Sequence, residues 1–315
     1  MELEAILSLF SQEFFYSTIR MAAPIVMAAI GEVIMERAGI LNLGIESMMM
    51  FGAFFGVVGA ATFGNAWMGM LTGILAGAIA GALFGFIVIT LRANQSVTGT
   101  AFNIIGYGLT TFLARVFWGI RSEPLKVSQF VDVPLPFLSD IPFLGYILFD
   151  HDPTVYIAYI VVIVSTIFLF RTIWGLRIRA IGEHPRAAET IGINVFRYRY
   201  VAALIAGGLA AFGGAMLSLA QLDMFVDRMS GGRGFFALAA VILGRWNPIG
   251  VALGCLLFGA GNAVQMRIQA FGLKIAPDLL IAFPFALTLL VVIVFRSTAN
   301  PKALAKPYEK EATIE

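Results

Sequence analysis

The chain has 315 residues, 59% of them hydrophobic and only 13% charged, with a mean hydropathy of +0.89. This composition excludes an ordinary soluble domain and predicts an integral membrane protein. A formal net charge of +2 gives no electrostatic reason for a nucleic-acid or polyanion partner, and none is expected.

Taken in chain order, the apolar runs predict an all-α, polytopic membrane helix bundle of about nine transmembrane segments with broken helices. A span needs roughly 20 apolar residues to cross about 30 Å of hydrocarbon. Segments are expected near 18–36, 44–62, 66–91, 97–118, 153–172, 199–220, 249–270 and 278–296. A shorter run near 234–245 covers only about 18 Å as a helix, which suits a half-helix. The opening "MELEAILSLFSQEFF" carries acids and has no basic stretch, so the first membrane helix is expected to direct insertion without cleavage.

The third segment places Gly69, Gly73, Gly77, Gly81 and Gly85 one every fourth residue, and the sixth has Gly207, Gly208, Ala211 and Gly214. A glycine-lined helical face lets another helix approach closely, either as static packing or as an interface that moves. Cys255, the single cysteine, forbids an intrachain disulfide and reads as a small buried packing residue. The triple methionine 48–50 reads as adaptable core filling.

Loop charges set the orientation. The 171–199 connection holds Arg171, Arg177, Arg179, Arg186, Arg197 and Arg199, and the end of the chain holds Arg296, Lys302, Lys306 and Lys310. Both are predicted to be cytoplasmic. The loop at about 119–152 has Arg121 and Lys126 against Glu123, Asp132, Asp140, Asp150 and Asp152, and four prolines, which suits an ordered external cap. Alternation then puts "ERAG" (36–39) and Arg92 inside and the N-terminus outside. Residues 1–296 are read as one transmembrane domain and 297–315 as a cytoplasmic tail.

Ionisable and amide side chains inside apolar segments are functional candidates. Asn42 and Glu46 are four apart, hence expected on one helical face beside a glycine-loosened break at "AGILNLG". They either line a solute route, together with Asn103, Asn262 and Gln265, or cap the broken helix ends. Glu32 with Glu36 and Arg37 reads as an interfacial ion-pair group. Phe102, Phe283 and Phe285 have the ring faces that stack on a base, among 28 phenylalanines. There is no phosphate loop of the "GxxxxGK[ST]" kind, no "HExxH" and no "GxSxG", and His151 and His184 fall on opposite sides of the membrane. Hence no catalytic residue, no metal site and no cofactor are expected in this chain.

Between two apolar runs lies "GEHPRAAETIGIN", residues 182–194. Pro185 suits a first helical turn, Glu183 favours the positive helix start and Gly192 offers a stop. The result is a helix of about seven residues, too short to span and too polar for lipid. Its small face, Ala187, Ala188 and Gly192, is expected to be exposed, either as a docking surface or as an ordinary loop helix.

The same stretch resembles the coupling-helix motif of ABC importer permeases of the branched-chain amino acid, ribose and nucleoside group. "ERAGILNLGIESMMMFGA" (36–53) and "GGRGFFALAAVILGRWNPIGVALGCLLFG" (231–259) resemble two further blocks of that family, and the similarity runs from about 15 to 296. One departure is Ser47, where the family usually has glycine. The resemblance implies alternating access in a bacterial cytoplasmic (inner) membrane, a cytosolic ATPase docking on Glu183, Pro185, Ala187, Ala188 and Gly192, and ATP consumed by that partner. It also implies a second related permease and a periplasmic or lipid-anchored solute-binding protein. Nucleosides are the expected solute, with sugars or a riboflavin-type compound as alternatives. Readings from other classes are a proton-coupled secondary transporter using Glu32, Glu46 or Asp278, a passive channel and a membrane anchor.

Overall fold

The computed structural model describes residues 11–119, 125–270 and 300–309, together with residues 286, 290 and 293. We number the helices α1 Gln12–Arg37, α2 Ile45–Phe63, α3 Ala66–Gly85, α4 Gln95–Trp118, α5 Leu144–Phe149, α6 Pro153–Arg171, α7 Ile173–Glu183, α8 Pro185–Thr190, α9 Val195–Met216, α10 Arg233–Leu243 and α11 Pro248–Ala270. Single π-helical turns extend α3 through Thr90 and α9 through Gln221. Among the described residues, six helices are long and apolar enough to cross a membrane: α1, α2, α3 with its extension, α6, α9 with its extension, and α11. α4 has 24 residues but is more polar, and α10, with 11, is as short as its sequence suggests. The expected segment 278–296, with Asp278, Phe283 and Phe285, lies outside the described residues apart from 286, 290 and 293.

Five of these helix starts are fixed locally by a side chain. Asn65, Asn94, Asp152, Thr172 and Asn194 each accept a backbone N–H of the following first turn, as N-cap side chains do. The connection 171–199 is not one loop but contains α7 and α8. Ile173, Trp174 and Leu176 of α7 are exposed while Ile178 and Ile181 are buried. That distribution suits a helix lying at the membrane surface.

α1 is buried continuously from Ala22 to Glu36, packed by α9, α10 and α11. Pro24 lies inside it and cannot donate to the carbonyl of Arg20. Gln221 makes good the loss, its Nε2 donating to Arg20 O at 2.9 Å, while Arg20 Nη2 donates to Ala220 O at 3.0 Å. The proline and the π turn thus exchange their spare polar groups, as an apolar surrounding demands.

The glycine stripe of α3 is a packed seam. A Cβ added to Gly69 or Gly73 would stand 2.5 and 2.8 Å from the carbonyl oxygens of Gly56 and Gly52 on α2. One added to Gly77 or Gly81 would stand 2.4 and 2.3 Å from those of Gly207 and Ala203 on α9. Gly214 of α9 admits Met49 O at 1.8 Å from its own absent Cβ. Met48, Met49 and Met50 are wholly buried, as is Cys255.

Two ends of the bundle are distinct. At one, Phe130 N donates to Leu219 O at 2.8 Å, Val127 N to Asp223 O at 2.9 Å and Tyr16 Oη to Asp132 at 3.2 Å. Tyr16 also stacks on His151, centroids 4.4 Å apart. Burial pushes the His151 imidazole below its usual range, and its Nε2 lies 2.9 Å from Ile147 O. The opposite end gathers Arg37, Gly39, Arg92, α7, α8, Trp246 and residues 300–309, the set that loop charge assigns to one side. The bundle is mostly helical, with one two-residue antiparallel pair, β1 (Val133–Pro134) and β2 (Asp150–His151), in the loop before α6. One expectation needs correction here. The Glu36–Arg37 ion pair does not form: Glu36 accepts the Trp246 Nε1–H, and Arg37 donates to Trp246 O at 3.1 and 3.2 Å.

Gly77→Val must force α3 off α9, because the obstacle is backbone rather than a movable side chain. Overpacking of this kind costs about 1–3 kcal/mol or more. The expected outcome is a lower thermal midpoint and less folded protein in detergent, whereas Gly64→Val, with nothing within 4 Å, changes packing little and is limited by its φ of +64°.

Candidate functional site

Residues 38–44 break the first helical hairpin and carry non-helical backbone into the bundle. Several of the polar groups freed there meet side chains. Gln95 Oε1 accepts Leu41 N at 2.7 Å, Glu32 Oε1 accepts Asn42 N at 3.0 Å, and Asn42 Oδ1 accepts Gly44 N at 3.0 Å. Asn103 bridges the break, its Nδ2 donating to Leu43 O at 2.7 Å and its Oδ1 accepting Ser47 N at 3.0 Å. Irregular backbone is tolerated at membrane depth only where such partners exist.

α4 supplies the wall that meets this break. Its buried residues are Gln95, Thr98, Gly99, Asn103, Gly106 and Thr110, one polar and small stripe. Ile104, Phe112 and Val116 on other faces are exposed by 60–70%. A helix with its amides inward and its apolar side out is arranged for lipid or for another apolar subunit. Gly106 lets Ser47 in, since a Cβ there would lie 2.3 Å from Ser47 Cβ. The serine that departs from the family pattern therefore sits at a close crossing.

Glu46 is fully buried in the first turn of α2. Its Oε1 accepts Tyr107 Oη at 3.0 Å and Gly232 N at 2.8 Å, and its Oε2 accepts Gly234 N at 2.6 Å. Gly232 and Gly234 open α10, whose first N–H groups have no partner within their own helix. A carboxylate from another helix serves as the cap, and the positive end of α10 favours it. Gly232 has φ +82°, which admits glycine readily, and a Cβ on Gly234 would lie 2.6 Å from Glu46 Oε2. Arg233 turns back, Nη1 donating to Met229 O at 3.2 Å and Ser230 O at 3.1 Å. The exposed Arg228 guanidinium stands 5.8 Å over the Tyr107 ring. No ion pair to Glu46 exists among the described residues.

The structure thus brings Asn42, Glu46 and Asn103 into one buried cluster, but not in the expected manner. Asn42 belongs to the non-helical stretch, so it does not share a helical face with Glu46. All three spend their polar atoms on backbone and on each other's surroundings. Asn262 and Gln265 are apart from them on α11; Asn262 Nδ2 is buried and makes no hydrogen bond, and Gln265 is half-buried. Phe102 packs edge-on to Phe84, centroids 5.6 Å apart. Tyr107, Ser230, Arg228 and Arg233 were not candidates on sequence. Tyr107 had a readable signal, because it stands four residues after Asn103 and so shares its helical face.

At the opposite end, α8 begins with Pro185 and is stopped by Gly192 at φ +85°. Ala187 and Gly192 are exposed, but Ala188 is 3% exposed and packs inward, correcting the expectation of a small exposed face of three. Ile191, 74% exposed, takes its place beside Gly192. Glu183 and Pro185 are half-buried. Among the described residues no group of three His, Cys, Asp or Glu side chains is arranged to hold a metal.

Removing the Glu46 carboxylate strands two backbone donors and a phenol in the core. Unmet buried groups cost about 1–3 kcal/mol each, and breaking a buried charged contact about 3–5 kcal/mol. Glu46→Ala is therefore expected to lower the thermal midpoint of the purified protein sharply. An unchanged midpoint would mean that the carboxylate does not hold α10.

The sequence pattern described as "branched-chain amino acid transport system / permease component" matches residues 14–292. The chain is 38% identical over 266 residues to a protein named as a glucose ABC transporter permease, TsgC13 of Haloferax volcanii, covering 83% of this chain and 79% of that one. It is 36% identical over 306 residues to the guanosine ABC transporter permease NupQ of Bacillus subtilis, covering 93% and 95%. A structure described as an inward-facing conformation of a metal-chelate type ABC transporter shares the fold, with a TM-score of 0.50 at 14% identity, over 90% of this chain and 85% of that one. With its buried helix break, glycine seams and near-complete match, this chain belongs to the permease components of branched-chain amino acid-type ABC transport systems.

Proposed function

We propose that this permease subunit carries nucleosides inward across a bacterial cytoplasmic membrane by alternating access. The observation that carries the solute class is the near end-to-end similarity to the guanosine permease NupQ. The similarity to TsgC13 favours a second reading, a sugar, and the ribose of a nucleoside shares its hydroxyl chemistry. Uptake of radiolabelled guanosine by cells expressing the complete transporter separates them. Competition by other nucleosides and not by glucose is expected; competition by glucose alone would reassign the solute.

In this reading α8 is the contact for a cytosolic ABC ATPase that supplies the hydrolysis this chain has no motif for. Its support is the exposed Ala187, Ile191 and Gly192 at the arginine-rich end of the bundle. Closure of two ATPases would displace α8 as a rigid body and repack the glycine seams from one stable arrangement to another. The apolar outer face of α4, with Arg228 and Tyr107 at its edge, would form one wall of the solute route against a second related permease. A periplasmic or lipid-anchored binding protein would deliver solute to the end capped by residues 125–152. Nine membrane segments, including α4, α10 and the run near 278–296, complete the topology.

Glu46 and Asn103 act in this scheme by holding α10 and the break in place, which leaves recognition to groups at the edge of the cluster. Ile191→Glu puts a charge into the proposed ATPase contact without touching the packed Ala188. A tenfold loss corresponds to about 1.4 kcal/mol at an interface, and at least about that much of uptake and of solute-stimulated ATP hydrolysis is expected to disappear. Retained uptake and retained ATPase co-purification in Ile191→Glu would remove α8 from the interface.

A further inference from the structure

α8 has six residues and buries only Ala188. Helices shorter than about 12 residues are marginal by themselves, so α8 cannot hold its own orientation while force passes through it. What fixes it is the end of the chain. Ala303 N donates to Gly182 O at 2.8 Å, and a Cβ on Gly182 would come within 3.4 Å of Pro301. Tyr308, 5% exposed, donates its hydroxyl to the Glu189 carboxylate on α8. Its ring lies 5.4 Å from that of Phe196 and 5.6 Å from the Arg199 guanidinium, both on α9. Arg199 is itself buried and donates from Nε to Ala38 O at 3.1 Å, at the end of α1. One residue further, Glu309 pairs with Arg92 at 3.0 Å, beyond the end of α3. Burial, with the Glu189 carboxylate beside it, pushes the Tyr308 phenol up to about 12, so it remains a donor through the neutral range.

These contacts join α8 to the ends of α1, α3 and α9, and α3 and α9 meet along a glycine seam. We infer that residues 300–309 are a strap that makes α8 one rigid body with α9, and that Tyr308 is the positioning residue through which displacement of α8 reaches the bundle. The inference rests on the reading of α8 as the ATPase contact. It does not make the strap part of that contact. A cleft of about 680 Å³ remains between α8 and the strap, lined by Pro185, Ala187, Lys302, Lys306 and Tyr308, and leaves the outer side of α8 open.

The test uses the complete transporter in proteoliposomes and reads solute moved per ATP hydrolysed. Tyr308→Ala is expected to keep the ATPase bound and hydrolysing while the ratio falls about tenfold, a change of about 1.4 kcal/mol in coupling. Tyr308→Phe keeps both ring contacts and loses only the hydroxyl, so its ratio should fall between wild type and alanine. Glu189→Gln, which keeps the shape and weakens the same hydrogen bond, gives a second reading should Tyr308→Ala fail to accumulate. A wild-type ratio in Tyr308→Ala, or in Glu189→Gln where that variant stands in, overturns the strap. Loss of the ATPase from the Tyr308→Ala complex also overturns it, by making these residues part of the docking surface. Failure of the docking reading looks different: the ATPase then stays bound in Ile191→Glu with uptake intact.

Discussion

Backbone that leaves a helix inside a membrane has to find its hydrogen bonds in the protein, and this single constraint organises the chain. Residues 38–44 and the start of α10 both present unpaired groups to the interior, and Glu32, Gln95, Asn103 and Glu46 answer them. Glu46 carries the largest share, since it meets two N–H groups of α10 and the hydroxyl of Tyr107. A carboxylate with three donors and no ion pair among the described residues is held by geometry as much as by charge. The half-helix α10, the break and α4 consequently stand or fall together.

The same accounting explains features that look like defects in the sequence. Pro24 interrupts α1, yet the π turn at 217–221 supplies Gln221 to the carbonyl it frees. That turn in turn frees Leu219 O and Ala220 O, which accept the Phe130 N–H and the Arg20 guanidinium N–H. The segment before α5 is thereby stitched to the ends of two core helices. Where no polar exchange is needed, the packing is closed by glycine: α3 meets α2 and α9 through backbone contacts that leave no room for a methyl group. Such seams resist continuous deformation, and a change of state must move whole helices.

At the end of the bundle that holds α7 and α8, order is imposed from a distance in sequence. α8 is six residues long, and its partners Tyr308 and Gly182–Ala303 are separated by more than a hundred positions. Arg199, buried with no acidic partner among the described residues, is accommodated by the Ala38 carbonyl and the Tyr308 ring. The arginine-rich connection therefore also builds the packing of this end of the bundle.

The sequence by itself made most of the long helices legible, because hydrocarbon thickness, apolar run length and loop charge are local quantities, but it did not show α7 within the 171–199 connection. The helices before and after each predicted break, the short α10, the Pro185 start, the Gly192 stop and the glycine stripe of α3 are all written in neighbouring residues. It also exposed Asn42, Glu46 and Asn103 as polar groups in need of a reason. Their reason came from the packing in three dimensions, since their partners include Leu43 O and the N–H groups of Ser47, Gly232 and Gly234, and main-chain groups carry no mark in a sequence. For the same reason Ala188 read as exposed and proved buried: a helix pattern shows which residues share a face, but the neighbour covering that face comes from elsewhere in the chain.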